Sequence, residues 1–118
     1  YFGRVGIAER LAEHLRLARE LATWIDDAPG WERMAPTPFS TVCFRHRPAS
    51  ATDEGEVDLL NERILAEVNA TGEVFLSHTR LRGRYVLRLA IGNIRTGEQH
   101  VRRAWELLRE AALRPPAL

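Results

Sequence analysis

The chain has 118 residues, of which 45% are hydrophobic, and a formal net charge of +1. This length and composition are typical of one globular domain, which we expect to cover residues 1–118. The near-zero charge argues against binding to nucleic acid or to an anionic membrane surface, and no apolar run approaches the roughly 20 residues that span a bilayer.

Lysine is absent from the chain, and all of its basic residues are arginine. A Schiff base needs a primary amine, so no side chain here can form one. Cys43 is the only cysteine, which excludes an intrachain disulfide and fits a reducing cytoplasm. Because His14, His46 and His100 have no carboxylate or cysteine at metal-ligand spacing, we expect no metal site.

The first predicted element is an amphipathic helix over about residues 4–26. Its apolar residues recur at steps of three and four, at Ile7, Leu11, Leu15, Ala18, Leu21, Ala22 and Ile25. We interpret the charges between them as a solvated face. The start at Tyr1 has neither an initiator Met nor a signal-peptide core, so we expect the chain to begin within a longer polypeptide.

Two strands are predicted after a breaker cluster at residues 26–30. Residues 31–34 alternate large apolar with charged side chains, which is typical of a short edge strand. Residues 39–47 favour β structure and predict a second strand, with Val42 and Phe44 on one side. The other side of that strand carries Thr41, Cys43 and Arg45.

A second helix is predicted over roughly residues 55–70, after a small, polar and acidic loop without a recognisable site. Its apolar positions are Val57, Leu60, Ile64 and Val68. Asn69 and Gly72 are residues that commonly end a helix.

Residues 73–79 and 83–92 predict two strands of a hairpin, joined through residues 80–83. The second strand has two different faces, and its apolar face carries Tyr85, Leu87, Leu89 and Ile91. The opposite face carries Val86, Arg88, Ala90 and Gly92. Because these residues are small apart from the cation, this face has room for something to approach Arg88.

A third helix is predicted over about residues 97–113, with Thr96 as N-cap and Gln99 completing a capping box. Pro115 and Pro116 follow it. The whole order predicts an α+β fold: an antiparallel sheet of about four strands covered by helices on one face. The other face of the sheet is then either exposed to solvent or packed against another domain.

Several motifs, in order along the chain, resemble the C-terminal small domain of the group II pyridoxal-phosphate-dependent amino-acid decarboxylases, of the aromatic-L-amino-acid decarboxylase type. The longest is the stretch from Ser77 to Asn93. The others are Tyr1-Phe2-Gly3 with Val5-Gly6, the "VCFR" strand within Pro38–Arg47, Glu98-Gln99-His100-Val101, and Ala104-Trp105.

The resemblance implies the C-terminal domain of a fold-type I pyridoxal-phosphate enzyme. In the family, the cofactor, its stacking His, its pairing Asp and its Schiff-base Lys belong to an upstream large domain, which this chain lacks. The parent would be a homodimeric carboxy-lyase that converts an L-amino acid, aromatic by the resemblance, to its amine and carbon dioxide. This segment would contribute a wall of the active site, contain no catalytic, cofactor-binding or metal-binding residue, and be inactive alone.

Arg88 is the one position to which the resemblance assigns a role, because the equivalent arginine faces the active site and can contact a substrate carboxylate. An arginine on a half-covered strand can equally be a surface or interdomain salt-bridge partner. His78 is interpreted as a structural residue. We interpret Trp24, Trp31 and Trp105 as packing residues.

Two other classes of function stay open from the sequence. One is a stand-alone α+β regulatory or small-ligand-binding module whose open sheet face pairs in a dimer. The other is an RNA-binding sheet, which ranks last because Phe44, Phe75 and Tyr85 occur singly rather than interleaved with basic residues. Neither the amino-acid substrate nor the choice between amine and aldehyde product is predicted, since the residues that determine them would lie mostly upstream.

Overall fold

The structure, a computed structural model, describes residues 2–36, 40–92 and 97–114. In chain order the elements are helix α1 (Phe2–Asp27), strands β1 (Trp31–Arg33) and β2 (Thr41–His46), helix α2 (Glu54–Ala70), strands β3 (Ser77–Leu81) and β4 (Arg84–Ala90), and helix α3 (Glu98–Leu113). The predicted order of helices and strands is confirmed. No helix in these ranges combines the length and the apolar character needed to cross a membrane.

The strands form a four-stranded sheet in the order β1-β2-β4-β3, and all neighbours are antiparallel. Strand β1 is an edge strand, as predicted. Arg82 and Gly83 have φ angles of 54° and 78° and form the two-residue turn between β3 and β4. Turns with two positive φ angles match the twist of a hairpin. The predicted hairpin and the α+β class are therefore confirmed.

The helices pack on one face of the sheet, which we call the core face. Its fully or almost fully buried side chains are Val42, Phe44, Tyr85, Leu87 and Leu89. Burying each such side chain stabilises the fold by about 1.5–3 kcal/mol. Trp31 and Trp105 meet in this core with ring centroids 5.0 Å apart, and Trp24 packs against its margin. The interpretation of the tryptophans as packing residues is confirmed.

The apolar stripe predicted for α1 is wrong at its beginning. Leu11 is 57% exposed, whereas His14 and Leu17 are buried. At 26 residues, α1 is roughly 39 Å long, but the longest strand, with 7 residues, reaches only about 23 Å. The helix therefore extends beyond the sheet, and residues 8–12 are exposed.

Strand β3 begins at Ser77, not at Glu73 as predicted. The cause is Asn69, whose amide holds the backbone of Leu76 from both sides. Its oxygen accepts from the Leu76 N–H at 2.7 Å, and its nitrogen donates to the Leu76 carbonyl at 3.0 Å. A side chain thus satisfies backbone groups that a neighbouring strand would otherwise bind.

Helix α3 begins at Glu98 with Gly97 as N-cap. The Gly97 N–H donates to Nδ1 of His100 at 3.1 Å, which satisfies the backbone before the first turn. Thr96, the residue predicted as N-cap, lies outside the described residues, as does Phe39 at the predicted start of β2.

Candidate functional site

The candidate site lies on the face of the sheet that is turned away from the core, which we call the second face. Side chains alternate along a strand, and Val42 and Phe44 are fully buried in the core. Cys43 on β2 therefore points to the second face, together with Arg88, its direct partner on β4. Ser77 on β3 is paired with Arg88 from the other side. One row across the sheet thus reads Cys43, Arg88, Ser77.

One end of the second face is closed by an ion-paired arginine. Arg45 on β2 is only 1% exposed. Its Nε donates to Glu32 on β1 at 2.6 Å, and its Nη1 donates to Glu54 on α2 at 2.7 Å. A buried guanidinium is tolerated here because carboxylates on both sides compensate its charge. We call Glu32, Arg45 and Glu54 the closed end.

Helix α2 is held in the position that brings Glu54 to Arg45. Asn61, fully buried on α2, accepts from the His46 N–H at 2.9 Å and donates to the His46 carbonyl at 2.8 Å. These bonds fasten the helix to the end of β2. The role of Glu54 was not predicted, because its sequence signal is no more than an acidic first turn of helix α2.

Glu54 is shared between several cations. Besides Arg45 it accepts a hydrogen bond from Arg47, and Arg84 on β4 approaches it at 3.7 Å. The bonds from Arg45 and then Arg47 lower the pKa of the Glu54 carboxyl from 4.5 to about 2. Glu54 therefore stays ionised well into the acidic range and keeps the closed end paired.

The other end of the second face is open, and we call Cys43, Ser77, Arg88 and Ala90 the open end. Arg88, Ser77 and Ala90 are exposed, and Cys43 is half-buried. Among the side chains that the structure describes, none is a hydrogen-bond or ion-pair partner of Arg88. Burial raises the pKa of the Cys43 thiol, and the positive charge of Arg88 acts in the opposite direction.

The prediction of an accessible face around Arg88 is confirmed for part of β4 only. Ala90 and Gly92 are exposed as expected, but Val86 is fully buried. The register pairs Phe44 with Leu87, so the next position along the strands places Val86 beside Arg45 at the closed end. The room for an approaching group is therefore limited to the open end.

The other candidate residues lie away from the open end. His78 stacks on Tyr85 with ring centroids 4.7 Å apart, on the side of the sheet that carries the core, which fits a structural role. Within the described residues, no group of histidine, cysteine and carboxylate side chains could hold a metal ion. Since the chain has no lysine, its residues do not fit covalent attachment of a carbonyl cofactor.

Comparison with known proteins finds relatives that match almost the whole chain. No protein-family model matches the chain. A tryptophan decarboxylase of Camptotheca acuminata is 37% identical over 111 residues, covering 94% of this chain and 22% of that protein. The crystal structure of Oryza sativa TDC with PLP matches with a TM-score of 0.86 and 32% identity, over 92% of this chain and 23% of that one. Over the length it spans, this chain is similar to the group II pyridoxal-phosphate-dependent decarboxylases.

The family resemblance of the motifs is thus confirmed, and the matched stretch is a C-terminal segment of such decarboxylases. A phenylacetaldehyde synthase of Arabidopsis thaliana is also similar, at 36% identity over 111 residues, with 94% of this chain and 22% of that protein covered. The chain spans about a fifth of the length of these curated relatives. The comparisons do not favour the alternative of a stand-alone regulatory or ligand-binding module.

Proposed function

We propose that residues 1–118 form the C-terminal small domain of a pyridoxal-phosphate-dependent enzyme that converts an aromatic L-amino acid to its amine and carbon dioxide. The observation that carries the proposal is the match over 94% of the chain to proteins named tryptophan and tyrosine decarboxylases. Pyridoxal phosphate would be held by the large domain that precedes this segment, because no lysine is present here. When bound, the cofactor supplies the electron sink for the bond that breaks.

Arg88 is proposed to hold the carboxylate of the amino-acid substrate. Its guanidinium is exposed, lacks a carboxylate partner among the described side chains, and has small neighbours in Ser77 and Ala90. A planar guanidinium can donate two parallel hydrogen bonds to a carboxylate. Decarboxylation converts the substrate carboxylate to neutral carbon dioxide, so the negative charge on its oxygens decreases towards the transition state. Hydrogen bonds from Arg88 therefore bind the substrate at least as strongly as the transition state. Arg88 should therefore act on substrate binding and orientation more than on the chemical step.

The partners and location of the enzyme are proposed on the same basis. The open end would face the large domain of the same polypeptide, which brings Arg88 to the active site. The family resemblance implies a homodimer. We also propose a cytoplasmic location, because the single cysteine, Cys43, is in keeping with a reducing compartment.

The test compares the chain with the complete polypeptide, meaning this chain together with the part that precedes it in the proposed enzyme. With pyridoxal phosphate and L-tryptophan, L-tyrosine or L-phenylalanine, we expect the complete polypeptide to release carbon dioxide. The 118-residue chain alone should release none and should leave the absorption spectrum of the cofactor unchanged. Carbon dioxide release by the chain alone would contradict the proposal.

A second candidate differs only in the product. The 36% identity to a phenylacetaldehyde synthase equals that to a tyrosine decarboxylase of the same organism, so the relatives do not separate the two outcomes. Measuring amine and aldehyde in the same reaction mixture distinguishes them. We expect the amine to dominate, and an excess of aldehyde would favour the second candidate.

A further inference from the structure

Phe75 is an aromatic side chain that the fold leaves exposed. It directly precedes β3 and is 77% exposed, whereas the next residue, Leu76, is 6% exposed and belongs to the core. The Asn69 amide fixes the backbone at Leu76 and so fixes the direction in which Phe75 projects. Covering this ring would remove its apolar surface from water, which is favourable.

Phe75 lies at the margin of the open end. It borders a cavity of about 480 Å³ that lies against helix α3 and also reaches Ala90, one of the residues that define the open end. Ala90 and Arg88 are two positions apart on the same face of β4, which is about 7 Å along a strand. Phe75 also lies two residues before Ser77, another residue of the open end. The exposed ring is therefore adjacent to the surface that carries the Arg88 guanidinium, which has no carboxylate partner among the described side chains.

The charge next to Phe75 is neutralised within the chain. Glu73, two residues earlier, is bound by Arg103 of α3 through two hydrogen bonds of 3.2 and 3.1 Å. Phenylalanine and arginine are among the residue types that are enriched at protein interfaces.

We propose that Phe75 is the apolar anchor by which the open end docks on the preceding, cofactor-binding part of the same enzyme. The ring would enter an apolar pocket on that part. The inference rests on the proposed function. Two observations favour this partner. About four-fifths of each curated relative lies outside the matched stretch, and Arg88, close to Phe75, is proposed to face that part.

A second copy of this segment fits the open end less well. In a twofold pair centred on the open end, both partners present the same surface, so residues near the axis, such as Arg88, face their own counterparts. Two Arg88 guanidinium groups would then approach each other on a surface where no described carboxylate is bound to them. Like charges placed together at an interface disfavour that pairing.

The experiment uses the complete polypeptide with Phe75→Asp, Phe75→Leu and, as a matched control, Leu59→Asp. Leu59 is also an exposed large apolar residue, at 68%, but it lies on helix α2. Two properties are measured: carbon dioxide release, and the alkylation rate of Cys43 by iodoacetamide, resolved by mass spectrometry of its peptide. Far-UV circular dichroism checks that each variant stays folded.

We expect Phe75→Asp to lower carbon dioxide release by roughly ten-fold or more and to speed alkylation of Cys43, because a charged group in the pocket separates the two surfaces. Phe75→Leu should keep most of both properties, and Leu59→Asp should match the wild type. The inference is overturned if Phe75→Asp matches the wild type in both measurements, or if Leu59→Asp changes them equally. It is also overturned if protection of Cys43 in the wild type depends on protein concentration, which would indicate a second copy.

The two proposals fail separately. If the wild-type polypeptide releases no carbon dioxide, the proposed function is contradicted, but alkylation of Cys43 still shows whether Phe75 holds the open end covered.

Discussion

Arg45 and Arg88 lie on the same face of one sheet, on neighbouring strands, yet their surroundings are opposite. Arg45 is 1% exposed and bound by Glu32 and Glu54. Arg88 is exposed and has no partner among the described side chains. The same guanidinium is thus a structural group where two carboxylates converge, and a group available to a ligand where its neighbours are small and neutral. The local supply of carboxylates, not the residue type, separates the closed end from the open end.

Removing the cation at the closed end should have the largest effect on stability. Arg45→Ala leaves Glu32 and Glu54 facing each other and empties a buried volume. Loss of one partner from a buried ion pair costs about 3–5 kcal/mol, and we expect about 3 kcal/mol because both carboxylates are partly exposed. Urea unfolding of the chain measures this. A loss below about 1 kcal/mol, the range of surface pairs, would show that Arg45 does not hold the closed end together.

The closed end should also make the free energy of unfolding depend on pH in the acidic range. The pKa of Glu54 is lowered from 4.5 to about 2. The stabilisation from its ionised form is therefore complete above about pH 4.5 and is lost as the pH falls towards about 2. We expect the free energy of unfolding of the wild type to fall over this range more steeply than that of Glu54→Gln, a variant with no carboxyl to protonate. Parallel curves for the two proteins would contradict the pairing.

The smallest effect on stability is expected at the open end. Arg88→Ala removes a side chain that the described part of the chain does not bind. The free energy of unfolding should therefore stay within about 0.5 kcal/mol of the wild type, as for ordinary surface substitutions. The same urea titration serves for both arginines. A loss comparable to that of Arg45→Ala would mean that Arg88 is structural and would erase the distinction between the two ends.

The elements that the sequence predicts well are those whose pattern repeats over many residues. Tyr85, Leu87 and Leu89 alternate with other residues along β4, and all three are buried in the core. Successive side chains of a strand point to opposite faces, so this alternation predicts the core face from the local sequence alone. The apolar periodicity of α1 predicted wrongly that Leu11 is buried. Periodicity shows which side of a helix is apolar, but it does not show where the sheet beneath the helix ends. The early start predicted for β3 fails because Asn69, seven residues before Leu76, takes over its backbone groups.

The candidate site was predictable only in part. The alternation of side chains along β2 placed Arg45 on the side opposite Val42 and Phe44. The two carboxylates that bind Arg45 lie 13 and 9 residues away in the sequence, so no local pattern indicates them. Its burial could not be derived from the pattern. Arg88 was singled out by the family resemblance together with the small residues beside it. Phe75 was noted only as an isolated aromatic, since its exposure follows from the position of the backbone around Leu76.

The most direct test of the open end as part of an active site compares two arginines of β4 in the complete polypeptide. Arg88→Gln removes the proposed carboxylate contact, whereas Arg84→Gln removes an exposed cation at the other end of the strand. We expect Arg88→Gln to raise KM for the amino acid by roughly ten-fold to a hundred-fold, the loss of hydrogen bonds to a charged group, with a smaller change in kcat. Arg84→Gln should leave both constants near the wild type. Equal KM values for all three proteins would contradict a role for Arg88 in holding the substrate.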